Sequence, residues 1–351
     1  MKRINLIFVI LLAIFLCGCS AWMNGYYASA KPHKEQNFGP EQVLAAPKTY
    51  EDIELILKNM VESGQQRKTI SMEKMQGDWQ GYVSDAVDYV KTTYPMGVYA
   101  VSDIDYEIGT NNGKPALAVD IVYCRSSSDI AAVWNAEDIK QVEDIVYDAL
   151  CAFDLSVAIR MEDYSETDYL QMVEDYAIRF PQFVMETPQV SVMTYPEEGE
   201  DRIVELLFHY DTSRTAMRQM REQVDRIFDA SEMYVSGDGS VMEKFHQLYS
   251  FLMNRYEYTI QPSITPSYSL LHHGLGDSKA FATVYGAMCR RAGLNCETVA
   301  GTRNGQVWYW NVLKVDGETY HVDLLSCLEK DRFFYCTPQE LTDYVWDSSA
   351  Y

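Results

Sequence analysis

Basic residues are scarce in this chain. Of 351 residues, 29 are lysine or arginine and 51 are aspartate or glutamate, a formal net charge of −22. Phosphate contacts supply most of the attraction between proteins and nucleic acids, so a surface this acidic argues against a nucleic-acid partner. Anionic lipid surfaces are disfavoured too, unless something other than charge holds the protein there. An apolar run long enough for a membrane helix is lacking at the start of the chain. Ile4 to Leu16 is interrupted by Asn5 and ends at the polar stretch Cys17-Gly18-Cys19; at 1.5 Å per residue it reaches about 20 Å, short of a hydrocarbon layer of roughly 30 Å. No cysteine has a histidine partner at zinc spacing, so neither a metal nor another cofactor is expected. What is present is apolar and aromatic: 47% hydrophobic residues, with 26 Tyr, 13 Phe and 6 Trp, and only 23% charged. That composition describes a folded chain with real cores, and its length suggests two or three units.

The basic pair Lys2 and Arg3, the short greasy run and the small Gly18 describe an export signal over residues 1–18. Leu16-Cys17-Gly18-Cys19 resembles a bacterial lipobox, in which cleavage before the cysteine leaves its thiol to carry diacylglycerol. Cys19 fits, with Gly18 before the cut; Cys17 fits poorly, because bulky Leu16 would precede it. The plainer alternative is a secretory signal with incidental cysteines. Loss of residues 1–18 removes two basic residues and no acid, leaving 27 against 51 and a net charge of −24. The expected location is extracytoplasmic, with a lipid anchor holding to the membrane a protein that electrostatics would push away. Residues 19–49 show no sustained period and contain Gly25, Pro32, Gly39, Pro40 and Pro47. They read as a tether with a coil reach of about 30 Å.

Residues 50–151 and 152–235 read as two copies of one β-α-β-β-α pattern. In the first, a short strand at Thr69 to Met72 precedes a helix around Tyr82 to Tyr94 closed by Pro95. Strands Val101 to Ile108 and Leu117 to Tyr123 then flank an Asn112-Gly113 hairpin turn. A helix follows with Asn135 as its expected cap and Ile139, Val142, Ile145, Val146 and Ala149 on one face. The second copy places a strand at Leu155 to Ile159, a helix at Tyr169 to Phe180 stopped by Pro181, a hairpin of Val190 to Tyr195 with Ile203 to Tyr210, and a last helix from Thr215 to Ala230. Neither copy carries His, Cys or paired acids at ligand spacing, so the copies are expected to act as scaffold. The acidic turn Glu197 to Asp201 reads as solvated charge.

Residues 236–351 hold the only recognisable chemistry. Gly274, Gly276, Phe281-Ala282, Ala292-Gly293, Trp310-Asn311, Asp316-Gly317, Tyr320 and Val322-Asp323 follow one another at characteristic spacings. In this order the chain resembles the transglutaminase-like superfamily, in which a helix packs on an antiparallel sheet in a papain-like α+β fold. The resemblance implies a papain-like α+β domain here, and with the two β-α-β-β-α copies before it the whole chain is expected to be α+β. It also implies a catalytic triad: a cysteine after the glycine turn, a histidine two residues before the tryptophan, and an aspartate on the next strand. In this sequence those positions are Ser278, Trp308 and Asp323.

A thiol at a helix N-terminus beside an imidazole is readily ionised; a serine hydroxyl is not. Indole donates a hydrogen bond but accepts no proton, so Trp308 cannot serve as base. The expectation is therefore a degenerate site in a surface-anchored lipoprotein, used for binding or scaffolding at the cell envelope. Tyr309, Trp310, His272 and His321 are the residues expected to line a cleft for an envelope protein, a peptide or a glycan. The alternative is an acyl-transfer or peptide-bond hydrolase using Ser278 with His321 or His272. Six cysteines follow Cys19, at 124, 151, 289, 296, 327 and 336; of the conceivable disulfides, the 327/336 pair is the first candidate.

Overall fold

The computed structural model describes residues 46–330 and 332–347. The expected export signal, Cys19 and most of the expected tether lie outside the described residues. The elements are mixed α and β, as expected, and group into two compact units that interleave along the chain.

The first unit takes residues up to 142, 154–166 and 191–207. It opens with α1 (Tyr50–Ser63), which the sequence reading overlooked. Thr49 and Asp52 form a reciprocal capping box at its start, and Gly64 at φ 65° ends it. Ile53, Ile56, Leu57, Met60 and Val61 make its buried stripe. Then come β1 (Arg67–Ser71), α2 (Trp79–Thr92), α3 (Pro95–Ala100), β2 (Val101–Asn111) and β3 (Lys114–Tyr123). Asn112 and Gly113, both at positive φ, make the β2–β3 turn. A short α4 (Ser127–Ala131) leads to β4 (Trp134–Ala136) and then to α5 (Ile139–Ala152). Asn135 lies inside β4 and does not cap α5; Asp138 does so, accepting from Gln141 N at 2.8 Å. An aspartate one residue before the helix reaches its first turn, which a strand residue four positions away cannot.

Next in the chain are β5 (Ser156–Met161), α6 (Tyr169–Arg179), β6 (Gln189–Tyr195), β7 (Arg202–His209) and α7 (Arg214–Tyr234). One sheet has the order β1-β3-β2 and a second the order β4-β5-β7-β6, so β5-β7-β6 repeats the arrangement of the first. Within this unit Arg125 is fixed by Glu205 at 2.6 Å, with Tyr195 donating to the same carboxylate at 3.0 Å and the Tyr99 ring below the guanidinium.

The second unit takes 143–153, 167–190 and 208 onward. After α8 (Val241–Met253) come β8 (Glu257–Tyr258), a tight helical turn at 266–273, β9 (Leu275–Gly276) and α9 (Ser278–Arg291). The sheet β12-β11-β10-β13 is built from β10 (Cys296–Arg303), β11 (Gln306–Val315), β12 (Glu318–Val322) and β13 (Tyr344–Trp346). A last short helix, α10 (Leu324–Glu329), follows β12. Helix α9 is buried from Ala280 to Cys289 and lies on one face of this sheet. Asn311 of β11 donates to Ala282 O at 2.8 Å, and Thr298 of β10 donates to the same carbonyl at 3.3 Å.

Candidate functional site

The glycine turn has two distinct physical reasons. Gly274 sits at φ 83°, which side-chain-bearing residues rarely adopt. At Gly276 a Cβ would meet Leu270 Cδ1 at 2.9 Å and Ala280 Cβ at 3.0 Å, so the chain can enter the helix only with hydrogen there. Asp277 caps α9, accepting from Ala280 N at 2.9 Å, and Ser278 is the first helical residue. Ser278 is 7% exposed, and among the described residues no hydrogen bond is made by its hydroxyl. Ser278 thus stands at a helix N-terminus, as expected of the position matching the nucleophile, with no imidazole bonded to it.

Strand β11 carries the next part. Register pairs Gly301 with Trp308 and Val299 with Trp310, so the two tryptophans share the sheet face opposite α9 while Tyr309 turns toward the helix. The Trp308 indole N–H donates to Asp323 Oδ2 at 3.0 Å. Tyr258, paired with Gly276 across β8 and β9, has its ring centroid 6.0 Å from that of Trp308, which sets the indole beside the turn leading to Ser278.

Asp323 is the hub. It is 6% exposed and caps α10 by accepting from Leu325 N and Ser326 N at 3.0 and 3.2 Å through Oδ1. Its Oδ2 accepts from Trp308 and from the Tyr344 hydroxyl at 2.6 Å, with Arg303 Nη1 at 3.4 Å. Burial first, then the Asp323 charge, pushes the Tyr344 hydroxyl well up, so it remains a donor. Sequence reasoning found Asp323 but missed Arg303 and Tyr344. Arg303 shares the Trp308 face by strand alternation across the Asn304-Gly305 turn and was findable; Tyr344 arrives on a separate strand without a local signal.

Two expected cleft residues prove to be core. Trp310 and His321 are 1% and 3% exposed, and Trp310 Nε1 donates to His321 Nδ1 at 2.9 Å. Tyr344 and Trp346 close over them edge-on, so these rings fill a small second core on the sheet face away from α9. His272 and His273 are exposed beside Tyr268, His272 stacked on it at 4.7 Å between centroids. Tyr309 lies under Lys279, which pairs with Glu174. The described cysteines are free thiols: Cys327 donates to Phe334 O and Cys336 to His321 O, and burial pushes both up to about 11. Asp201 of the acidic turn is committed to Arg160 at 2.8 Å.

The buried His321 makes a pH prediction. Burial lowers it from its ordinary 6.5, and Nδ1 is an acceptor only while the ring is neutral. The unfolded chain takes up a proton near pH 6.5 that the native ring refuses, so this contribution is whole above that pH and lost below it. Denaturant melts from pH 7.5 to 5 are expected to show the wild type losing up to about 1.4 kcal/mol per pH unit more than His321→Gln. Parallel curves would show that His321 does not titrate in the unfolding transition.

Residues 229–338 match the sequence profile of the transglutaminase-like superfamily, and this stretch is a transglutaminase-like domain. No curated protein matches the chain. Among solved structures, a TGase is similar at 10% identity with a TM-score of 0.27, over 62% of this chain and 63% of that one. A Cytophaga hutchinsonii protein assigned as a cysteine protease is similar at 10% identity and TM-score 0.27, over 45% of this chain and 70% of that one. A protein assigned as a protease from Parabacteroides distasonis follows at 11% identity and TM-score 0.24, over 65% and 38%. The chain thus spans less than two thirds of the first and third of these. No helix among the described residues is long and apolar enough to cross a membrane.

Proposed function

We propose that the transglutaminase-like domain is non-catalytic, and that a surface-anchored lipoprotein uses it to bind or scaffold at the cell envelope. One observation carries this reading: the place of the base is taken by an indole whose N–H is spent on Asp323. The carboxylate that would orient an imidazole is instead filled by five donor groups, and among the described residues the Ser278 hydroxyl makes no hydrogen bond. A hydroxyl without a base is a poor nucleophile, and removing nucleophile or base from such a triad costs on the order of 10⁶ in turnover. The surroundings suit contact instead. Ile260, 78% exposed, with Ile264, Leu275 and Val307 present apolar surface on the segments that flank Ser278 and Trp308. The two similarly ordered segments before the domain fit a duplicated scaffold, and an envelope protein, peptide or glycan is the expected partner class.

Incubating the full chain with glutamine peptides and an amine is expected to give the same background with wild type and Ser278→Ala. Turnover that vanishes in the variant would end the non-catalytic reading and leave the hydrolase or acyl-transfer alternative. The anchor has its own test: Cys19→Ala is expected to move the protein from the membrane to the soluble fraction and abolish labelling by radioactive palmitate. Unchanged membrane retention and labelling would remove Cys19 as the lipidated residue.

A further inference from the structure

At the opposite end of α9 from Ser278 lies a cleft of about 660 Å³, within the size range of ligand sites. Arg290 is twelve residues along the helix from Ser278, about 18 Å at 1.5 Å per residue, so this is a separate place from the triad positions. Its walls come from the end of α6, from α7 and from the end of α9.

The chemistry of the walls is unlike that of the rest of this acidic chain. Arg290 and Arg179 bring two guanidiniums together. Arg290 is partly spent, donating to Cys296 O at 2.8 Å and to Arg179 O, with Glu297 Oε2 3.8 Å from its Nη1; burial is the main cause that weakens its hold on its proton. The Arg179 guanidinium is exposed and, among the described residues, forms no ion pair; it lies 5.6 Å from the centroid of Phe180. Glu297 already stands near Arg290, so the unpaired Arg179 is the group that favours a ligand anion, and planar guanidinium is the best donor set for a carboxylate. Across the cleft Asp225, pushed up mainly by burial, has no ion pair among the described residues. The Gln182 side-chain oxygen is buried in the same wall with no hydrogen-bond partner, an arrangement that favours a donor from a ligand. Phe180 and Phe183 stand with centroids 6.4 Å apart and give an apolar patch beside these groups.

We infer that this cleft binds a zwitterionic α-amino acid or short peptide carrying an apolar side chain. Its carboxylate meets Arg179 and Arg290, its ammonium meets Asp225, an N–H meets Gln182, and its side chain packs on Phe180 and Phe183. The inference stands independently of whether Ser278 is catalytic.

Calorimetric titration of the full chain tests it with free phenylalanine, the dipeptide Ala-Phe, its C-terminal amide and its N-acetyl form. Saturable binding is expected for phenylalanine, Ala-Phe or both. Equal affinities would identify a free amino acid as sufficient, and binding by the dipeptide alone would identify a peptide. Amidation, and separately Arg179→Gln, should each weaken binding at least tenfold, as should acetylation and Asp225→Asn. Arg179 is exposed, so its variant should keep the wild-type melting temperature, and the blocked ligands report on the same contacts without any mutation. No saturable binding by either free ligand, or amide and acetyl forms binding as well as Ala-Phe, would overturn the inference.

Discussion

Asp323→Ala is expected to destabilise the transglutaminase-like domain by about 3–5 kcal/mol, the range found when one partner of a buried, hydrogen-bonded charge is removed. Four hydrogen bonds and one ion pair end on this carboxylate, from Trp308, Tyr344, Leu325, Ser326 and Arg303. Truncation leaves each donor facing a side chain that cannot accept, and it also uncaps α10. Ser278→Ala should by contrast change stability by less than about 1 kcal/mol, because its hydroxyl holds nothing. The contrast is the useful part: an aspartate kept to orient a base would show its loss in activity, whereas this one should show it in folding. Thermal melts followed by near-ultraviolet circular dichroism, which reports on Trp308, Trp310 and Trp346, make the comparison. Equal, small shifts for the two variants would contradict a structural role for Asp323.

Installing a cysteine at 278 and a histidine at 308 should have the second large effect. Ser278→Cys alone should give a thiol of ordinary reactivity, since the helix N-terminus is the only thing acting on it. Adding Trp308→His puts an imidazole where the indole now bonds Asp323, so the carboxylate can orient it, and a ring oriented in this way that reaches residue 278 stabilises a thiolate there. Alkylation by iodoacetamide at pH 6.5, read at residue 278 by peptide mass spectrometry, is expected to be roughly tenfold faster or more in the double variant than in Ser278→Cys. The buried native thiols should not confuse the signal, because burial raises Cys289, Cys327 and Cys336 and keeps them protonated. No acceleration would mean that position 308 does not face Ser278.

Much of the domain was legible because local constraints write themselves into sequence. Gly274 and Gly276 are required by a positive φ and by a packing distance, the Asn304-Gly305 and Asp316-Gly317 turns by hairpin geometry, and Asn311 by its bond to α9. The α+β class followed from alternation and helical periodicity over residues 50–235 and, beyond them, from the resemblance to transglutaminase-like domains. Harder to read was what depends on convergence of distant segments. Tyr344 reaches Asp323 from twenty-one residues away on β13, and no local pattern announces it. Trp310 and His321 looked like cleft residues because aromatic and imidazole groups often are. Their burial depends on Tyr344 and Trp346 closing over that sheet face, which strand alternation cannot foresee. Helix α1 is readable in principle, from Thr49, Asp52 and the stripe through Val61, but it stands before the strand that opens the β-α-β-β-α pattern. The interleaving of the two compact units is likewise a property of long-range packing, not of composition along the chain.

The most direct measurement is covalent capture. The full wild-type chain is incubated with an excess of an activated glutamine-peptide ester and its intact mass and peptide map are recorded with time. With an indole on Asp323 and no base at Ser278, the account predicts no acyl adduct at Ser278 above that of the heat-denatured protein. An adduct that forms on Ser278 and disappears again as the ester is turned over would contradict it.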